Sequence, residues 1–140
     1  MLEHQNKLWC SWDDITTIIN YLVVRIQDKQ LPIDSIYGIP RGGLIPAVIL
    51  SHKLSLPLVS TPNENTLVVD DISDSGLTLG EHHLHGAVHT VTLHMRKGSS
   101  YEPTIYGKFI DSEKWIVYPW ELGTAKEIRD YKLKKEKVNK

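Results

Sequence analysis

The chain has 140 residues, with 16 Lys and Arg against 17 Asp and Glu and a formal net charge of −1. That length suits one domain, and so even a balance gives no field to draw in nucleic acid or a membrane surface. The longest apolar runs, such as residues 44–50, fall far short of the roughly 20 residues a membrane span needs. The N-terminus lacks the apolar core of a secretion signal, and the single cysteine, Cys10, excludes an internal disulfide framework. A soluble, cytoplasmic domain is the expectation.

Ser11 stands as an N-cap ahead of Ile15, Ile18, Ile19, Leu22, Val23 and Ile26, a spacing that predicts a helix of about four turns ended by Pro32. Residues 35–39 read as a short strand broken by Pro40-Arg41-Gly42-Gly43. Leu44–Leu54 is apolar nearly all round, as in a helix packed between layers. A short strand is expected at 57–60 and a polar turn at 61–65. Thr66-Leu67-Val68-Val69 reads as a strand buried on both faces that stops at two aspartates. A helix at Leu77–Leu84, a strand at 87–95 and short strands at 106–110 and 115–118 follow. Residues 121–131 look helical, and 132–140 form a basic tail expected to fray. The alternation predicts one α/β domain over residues 1–140, with a mostly parallel central sheet flanked by helices.

In such a sheet, ligands bind beyond the carboxyl ends of the strands. Val68-Val69-Asp70-Asp71-Ile72-Ser73-Asp74-Ser75-Gly76-Leu77-Thr78 occupies one of those ends. Gly76 permits close backbone approach or a positive φ, and the helix after it offers N–H groups and a favourable dipole. Ser75 and Thr78 add hydroxyl donors, and together these parts suit a phosphate monoester. Ionised aspartates are pure acceptors, so Asp70 and Asp71 suit the neighbouring hydroxyls of a ribose. Mg2+, which takes oxygen ligands and substrate phosphates, would offset their repulsion. Asp74 is within reach of the atom at the anomeric carbon.

The string from Leu67 to Leu79 closely resembles the phosphoribosyl pyrophosphate (PRPP) motif of type I phosphoribosyltransferases. The resemblance implies that Asp70 and Asp71 bind the ribose hydroxyls and that Asp74, Ser75, Gly76, Leu77 and Thr78 wrap the 5′-phosphate. It also places Asp74 opposite purine N7 as the catalytic base. Two plainer readings compete: an acidic turn capping a helix, and the Asp-Asp-x-x-Asp metal cluster of isoprenoid enzymes. The second belongs on long helices, whereas the residues before Asp70 are strand formers.

Tyr37-Gly38-Ile39-Pro40-Arg41-Gly42-Gly43-Leu44-Ile45-Pro46 is similar to the family's pyrophosphate loop, with Arg41 and Gly42 facing the diphosphate and Arg41 stabilising its departure. Lys114-Trp115-Ile116-Val117-Tyr118-Pro119-Trp120-Glu121 resembles the base-recognition segment of the purine enzymes. That likeness gives Trp115 a stacking role and Ile116 a backbone contact with the ring edge, and sets Glu121 near metal and purine. The competing reading makes the tryptophans core. Asp71 and Glu121 are the implied Mg2+ ligands. Arg96 falls where 6-oxopurine enzymes carry a lysine that donates to the base, with Lys97 beside it, and Arg for Lys is not a neutral exchange. His82, His83, His85, His89 and His94 match no familiar metal-ligand spacing.

Family members also carry a long flexible loop before the PRPP strand. Here only about a dozen residues separate Leu54 from Thr66, so the loop is shortened and a lid that excludes water has no room. The resemblance implies a purine phosphoribosyltransferase. It would move phosphoribosyl from PRPP to guanine, xanthine or hypoxanthine, giving a nucleoside monophosphate and pyrophosphate in purine salvage, as a homo-oligomer. The alternative is a PRPP- or nucleotide-binding regulatory module with little turnover; a regulator touching RNA through the basic tail ranks last.

Overall fold

The computed structural model describes residues 1–121, and the helix expected at 121–131 and the basic tail lie outside them, Glu121 excepted. In chain order the elements are β1 (Leu2–His4), β2 (Lys7–Trp9), α1 (Trp12–Lys29), β3 (Ser35–Gly38), α2 (Leu44–Leu54), β4 (Thr66–Ser73), α3 (Leu77–Leu84), β5 (His89–Arg96), β6 (Ile105–Ile110) and β7 (Trp115–Val117). They divide into two units, Thr16–Ser112 and Met1–Ile15 with the segment from Glu113 onward. No helix among the described residues is long and apolar enough to cross a membrane.

The larger unit is built on an all-parallel sheet ordered β3-β4-β5-β6. The strand expected at 57–60 shrinks to a single parallel bridge, Leu58 to Ile36, on the edge of β3 away from β4. Ile36 N–H donates to Pro57 O and Val59 N–H to Ile36 O, each at 2.9 Å. The chain therefore leaves β3 through α2 in one direction and returns to β4 on the other side, which makes β3/β4 the switch point of a doubly wound sheet. The two helices cover opposite faces. A β-carbon on Gly38 would meet Ala47 of α2, while Val68, paired with Tyr37 one residue earlier, clusters with Leu79 of α3. Hence β4 is buried from Thr66 through Asp70, as its run of β-branched and apolar residues requires.

β4 runs four residues past the predicted end, through Ser73, because Asp70, Ile72 and Ser73 continue the ladder to Thr92, His94 and Met95 of β5. Polar side chains here do not mark the end of backbone pairing.

α1 follows its sequence pattern closely. Ile15, Ile19, Leu22 and Ile26 are buried. Ser11 and Asp14 form a reciprocal cap: Asp14 N–H donates to Ser11 Oγ at 3.0 Å and Ser11 N–H to Asp14 Oδ2 at 2.9 Å. The helix stops at Lys29, before Pro32, where Gln30 takes a left-handed φ of 51°. In the larger unit Ile18 lies where a side chain on Gly107 of β6 would have to go, which explains a glycine inside that strand.

The smaller unit contains a hairpin that the sequence did not announce. β1 and β2 are antiparallel, joined through Gln5 and Asn6 with φ of 52° and 60°, and β7 adds to β2 in parallel. Two consecutive left-handed residues define the tight primed turn, here without its usual glycine. Tyr118 and Trp120 stack at 4.9 Å, and Trp12 tilts against Trp120 at 5.9 Å. Ser11→Ala removes one half of the α1 cap and is expected to cost about 1 kcal/mol of stability, read from urea unfolding midpoints.

Candidate functional site

Two loops leave the carboxyl ends of the switch-point strands. The first, Ile39 to Gly43, follows β3, and the Pro40–Arg41 peptide is cis. Ile39 N–H donates to Val69 O at 2.8 Å, and Gly43 N–H closes the turn on Ile39 O at 2.9 Å. Arg41 is exposed at its tip. A β-carbon on Gly42 would collide with the Asp71 carboxylate, and one on Gly43 with Val69 O. The glycines are thus explained by contact: only bare backbone lets this loop lie against the acidic end of β4. Gly42 and Asp71, assigned to different parts of one ligand from sequence, are in fact neighbours.

The second loop is Asp70 to Gly76. Asp70 is buried and Asp71 half-buried. Their carboxylates accept from the next backbone groups: Asp71 N–H donates to Asp70 Oδ1 at 2.9 Å and Ile72 N–H to Asp71 Oδ1 at 2.8 Å. Adjacent residues of a strand point to opposite faces, so these bonds hold each carboxylate close to its own main chain. Gly76 caps α3 with φ of 87° and, lacking a side chain, cannot supply a capping oxygen. Leu77 N–H reaches Ser75 Oγ at 3.2 Å. An N-terminus built this way presents first-turn amides and a positive dipole end to an anion, with Ser75 and Thr78 half-buried beside it.

The loop is held from outside by a segment that sequence reading missed. Between β5 and β6, Ser99, Ser100 and Tyr101 form a strap across it. Ser73 Oγ donates to Tyr101 O at 2.7 Å and lies 2.7 Å from Ser99 Oγ. Ser100 donates twice to Ser75 O, from N–H and from Oγ, each at 2.9 Å. Gly98-Ser99-Ser100 reads as a turn, but no local pattern shows which loop a turn will touch 25 residues away.

Arg96, at the end of β5, is buried. Its Nε donates to Asp74 Oδ1 at 2.8 Å, and its Nη1 donates to the Ser112 carbonyl. Lys97 points away: its side chain is 70% exposed and sits 3.6 Å from an equally exposed Asp111, a pair worth little in water. Trp115, half-buried, and Ile116, buried, lie on β7 of the smaller unit. There the Glu121 carboxylate accepts from Tyr118 N–H at 3.1 Å.

Among the described residues no group of three or more His, Cys, Asp or Glu side chains gathers into a metal cage. Mg2+ does not require one, since it keeps waters and substrate oxygens and needs one or two carboxylates, and Asp71 beside Gly42 fits that demand. A cavity of about 360 Å3 lined by Pro62, Asn63, Glu64, His82, His85 and Val88 lies at the amino ends of β4 and β5, opposite the loops. Such a sheet binds ligands at the other end.

No family model matches the chain. The xanthine-guanine phosphoribosyltransferase of Cereibacter sphaeroides is 27% identical over 153 aligned residues, spanning 87% of this chain and 91% of that protein. The enzyme of the same name from Chromohalobacter salexigens is 25% identical over 145, spanning 87% and 88%. The crystal structure of a purine phosphoribosyltransferase from Pyrococcus horikoshii Ot3 superposes with a TM-score of 0.74 at 30% identity, covering 89% of this chain and 100% of that one.

A β-carbon on Gly76 would stand 2.5 Å from Tyr101 N and 2.6 Å from Ser100 Oγ, at a backbone angle side chains avoid. Gly76→Ala is therefore expected to destabilise the protein by about 1–3 kcal/mol, measured by chemical unfolding, whereas alanine at Gly80, which meets nothing within 4 Å, is not.

Proposed function

The chain belongs to the type I purine phosphoribosyltransferases, and from that premise we propose that it transfers phosphoribosyl from PRPP to a 6-oxopurine: guanine, xanthine or hypoxanthine. The bond from the anomeric carbon to diphosphate oxygen breaks, a bond to a ring nitrogen forms, and pyrophosphate and the nucleoside monophosphate leave. The observation that carries this reading is the contact of Gly42 with Asp71, which sets the diphosphate and ribose loops side by side at the switch point.

In this reading Asp70 and Asp71 accept from the ribose hydroxyls. The 5′-phosphate rests on Asp74 to Thr78, where the amides at the start of α3 replace the water an anion would otherwise hold. Arg41 and the Gly42 amide hold the diphosphate, and as positive charge develops at the anomeric carbon the guanidinium stabilises the departing anion. Asp74 accepts or steers the proton of the acceptor base, which requires its oxygen to stand about 2.6–3.2 Å from that ring nitrogen. Asp71, and by resemblance Glu121, would hold Mg2+, which supplies neutralisation of the diphosphate. Acceptor recognition is assigned to Trp115 by stacking, to Ile116 by its backbone, and to Glu121, on sequence resemblance, whereas Arg96 is committed to Asp74 and Lys97 is turned out towards Asp111. A homo-oligomer working in the cytoplasm, in purine salvage, completes the proposal.

Purified protein given PRPP, Mg2+ and each of the three bases is expected to form the matching nucleotide and to lose that activity in EDTA. Asp70→Asn and Asp71→Asn should each lower kcat/KM for PRPP on the order of tenfold to a hundredfold, the worth of a charge-assisted hydrogen bond. No nucleotide above the blank from any of the three bases would defeat the reading.

A further inference from the structure

We infer that Arg96 serves the transfer through Asp74, as the positioning residue that aims this carboxylate, and not by touching the acceptor base. The inference rests on the function proposed above. Three observations carry it, all within the larger unit. First, the main chain on both sides of Asp74 is already fixed. Ser73 ends β4 and is tied to Ser99 and Tyr101, and Ser75 O accepts two hydrogen bonds from Ser100. The freedom left to Asp74 is rotation of its side chain, and Arg96 Nε holds Oδ1 at 2.8 Å.

Second, the guanidinium is itself anchored. Its Nη1 donates to Ser112 O, just past β6, while Nε is committed to Asp74, so two directions in one plane are both occupied. A planar fork held at two points cannot swing, and it passes its orientation to the carboxylate. An ammonium, with rotatable donors around a single point, transmits no such plane. Third, the pair is shielded: the side chains are 9% and 18% exposed, so solvent does little to loosen it. Lys97, which shares the motif, is turned out towards Asp111 and takes no part.

A carboxylate handling a ring proton has to be placed to a fraction of an ångström, and a 1 Å error costs about a hundredfold in rate. Arg96→Met in the full-length protein should therefore lower kcat about a hundredfold while leaving KM for the base and for PRPP within about threefold. In an Asp74→Asn background the same change should lower kcat by less than about threefold, because the group it aims has gone. Arg96→Lys should recover only about a tenth of the wild-type rate.

Equal losses in the two backgrounds would overturn the inference, as would a rise in KM for the base at unchanged kcat, the signature of direct reading. An Arg96→Met enzyme as fast as wild type would overturn it too. If Arg96→Met does not fold, judged by its thermal transition, Arg96→Gln carries the same cycle. Wild-type protein that makes no nucleotide would instead defeat the underlying function, whereas active wild type with additive losses defeats this inference alone.

Discussion

β4 keeps its hydrogen bonds to β5 through Ser73 after β3 has parted from it at Val69. Everything at the site depends on that unequal ending. A strand paired on both sides and covered on both faces has no room for carboxylates, and one free of its neighbours would not hold them still. With one neighbour gone and the other in place, Asp70 and Asp71 sit on backbone as fixed as the core, yet next to the opening where Ile39 to Gly43 turns away. The burial of Thr66 to Val69 and the chemistry of the next four residues are thus two ends of one constraint.

The loops are packed to the limit of bare backbone. Gly42 touches the Asp71 carboxylate, Gly43 abuts Val69 O, and Gly76 abuts the Ser100–Tyr101 strap. On the proposed function, close packing of this kind does in folding the assembling of the site that a lid would otherwise do. In the proposed function, the donors for an anion are arranged before it arrives, which reduces the ordering that binding must impose. The short path from Leu54 to Thr66, spent on a single bridge at Leu58, fits a site fixed in advance.

Much of this was legible in the chain itself. The buried strand, the helices at Leu44–Leu54 and Leu77–Leu84 and the α1 stripe follow from periodicity and caps, because in each the signal lies within a few residues of its effect. β4 outruns its apolar stretch because its main chain goes on pairing with β5 after the side chains turn polar. The β1–β2 hairpin escaped because its strands have three residues each and its turn is Gln-Asn, not Asn-Gly. The strap from Ser99 to Tyr101 and the hold of Arg96 on Asp74 link positions 22 to 28 residues apart. Nothing local encodes such links, and they decide how the named site residues are held.

The partners of β2 bear on the order in which the protein is made. Lys7, Leu8 and Trp9 leave the ribosome well before Trp115 to Val117, the third strand of their sheet. A two-stranded hairpin alone is marginal in water. The amino-terminal hairpin must therefore wait while the intervening parallel sheet is synthesised and collapses, and the smaller unit is the last part of the described chain to close. Contacts this distant in sequence are the slow ones to form.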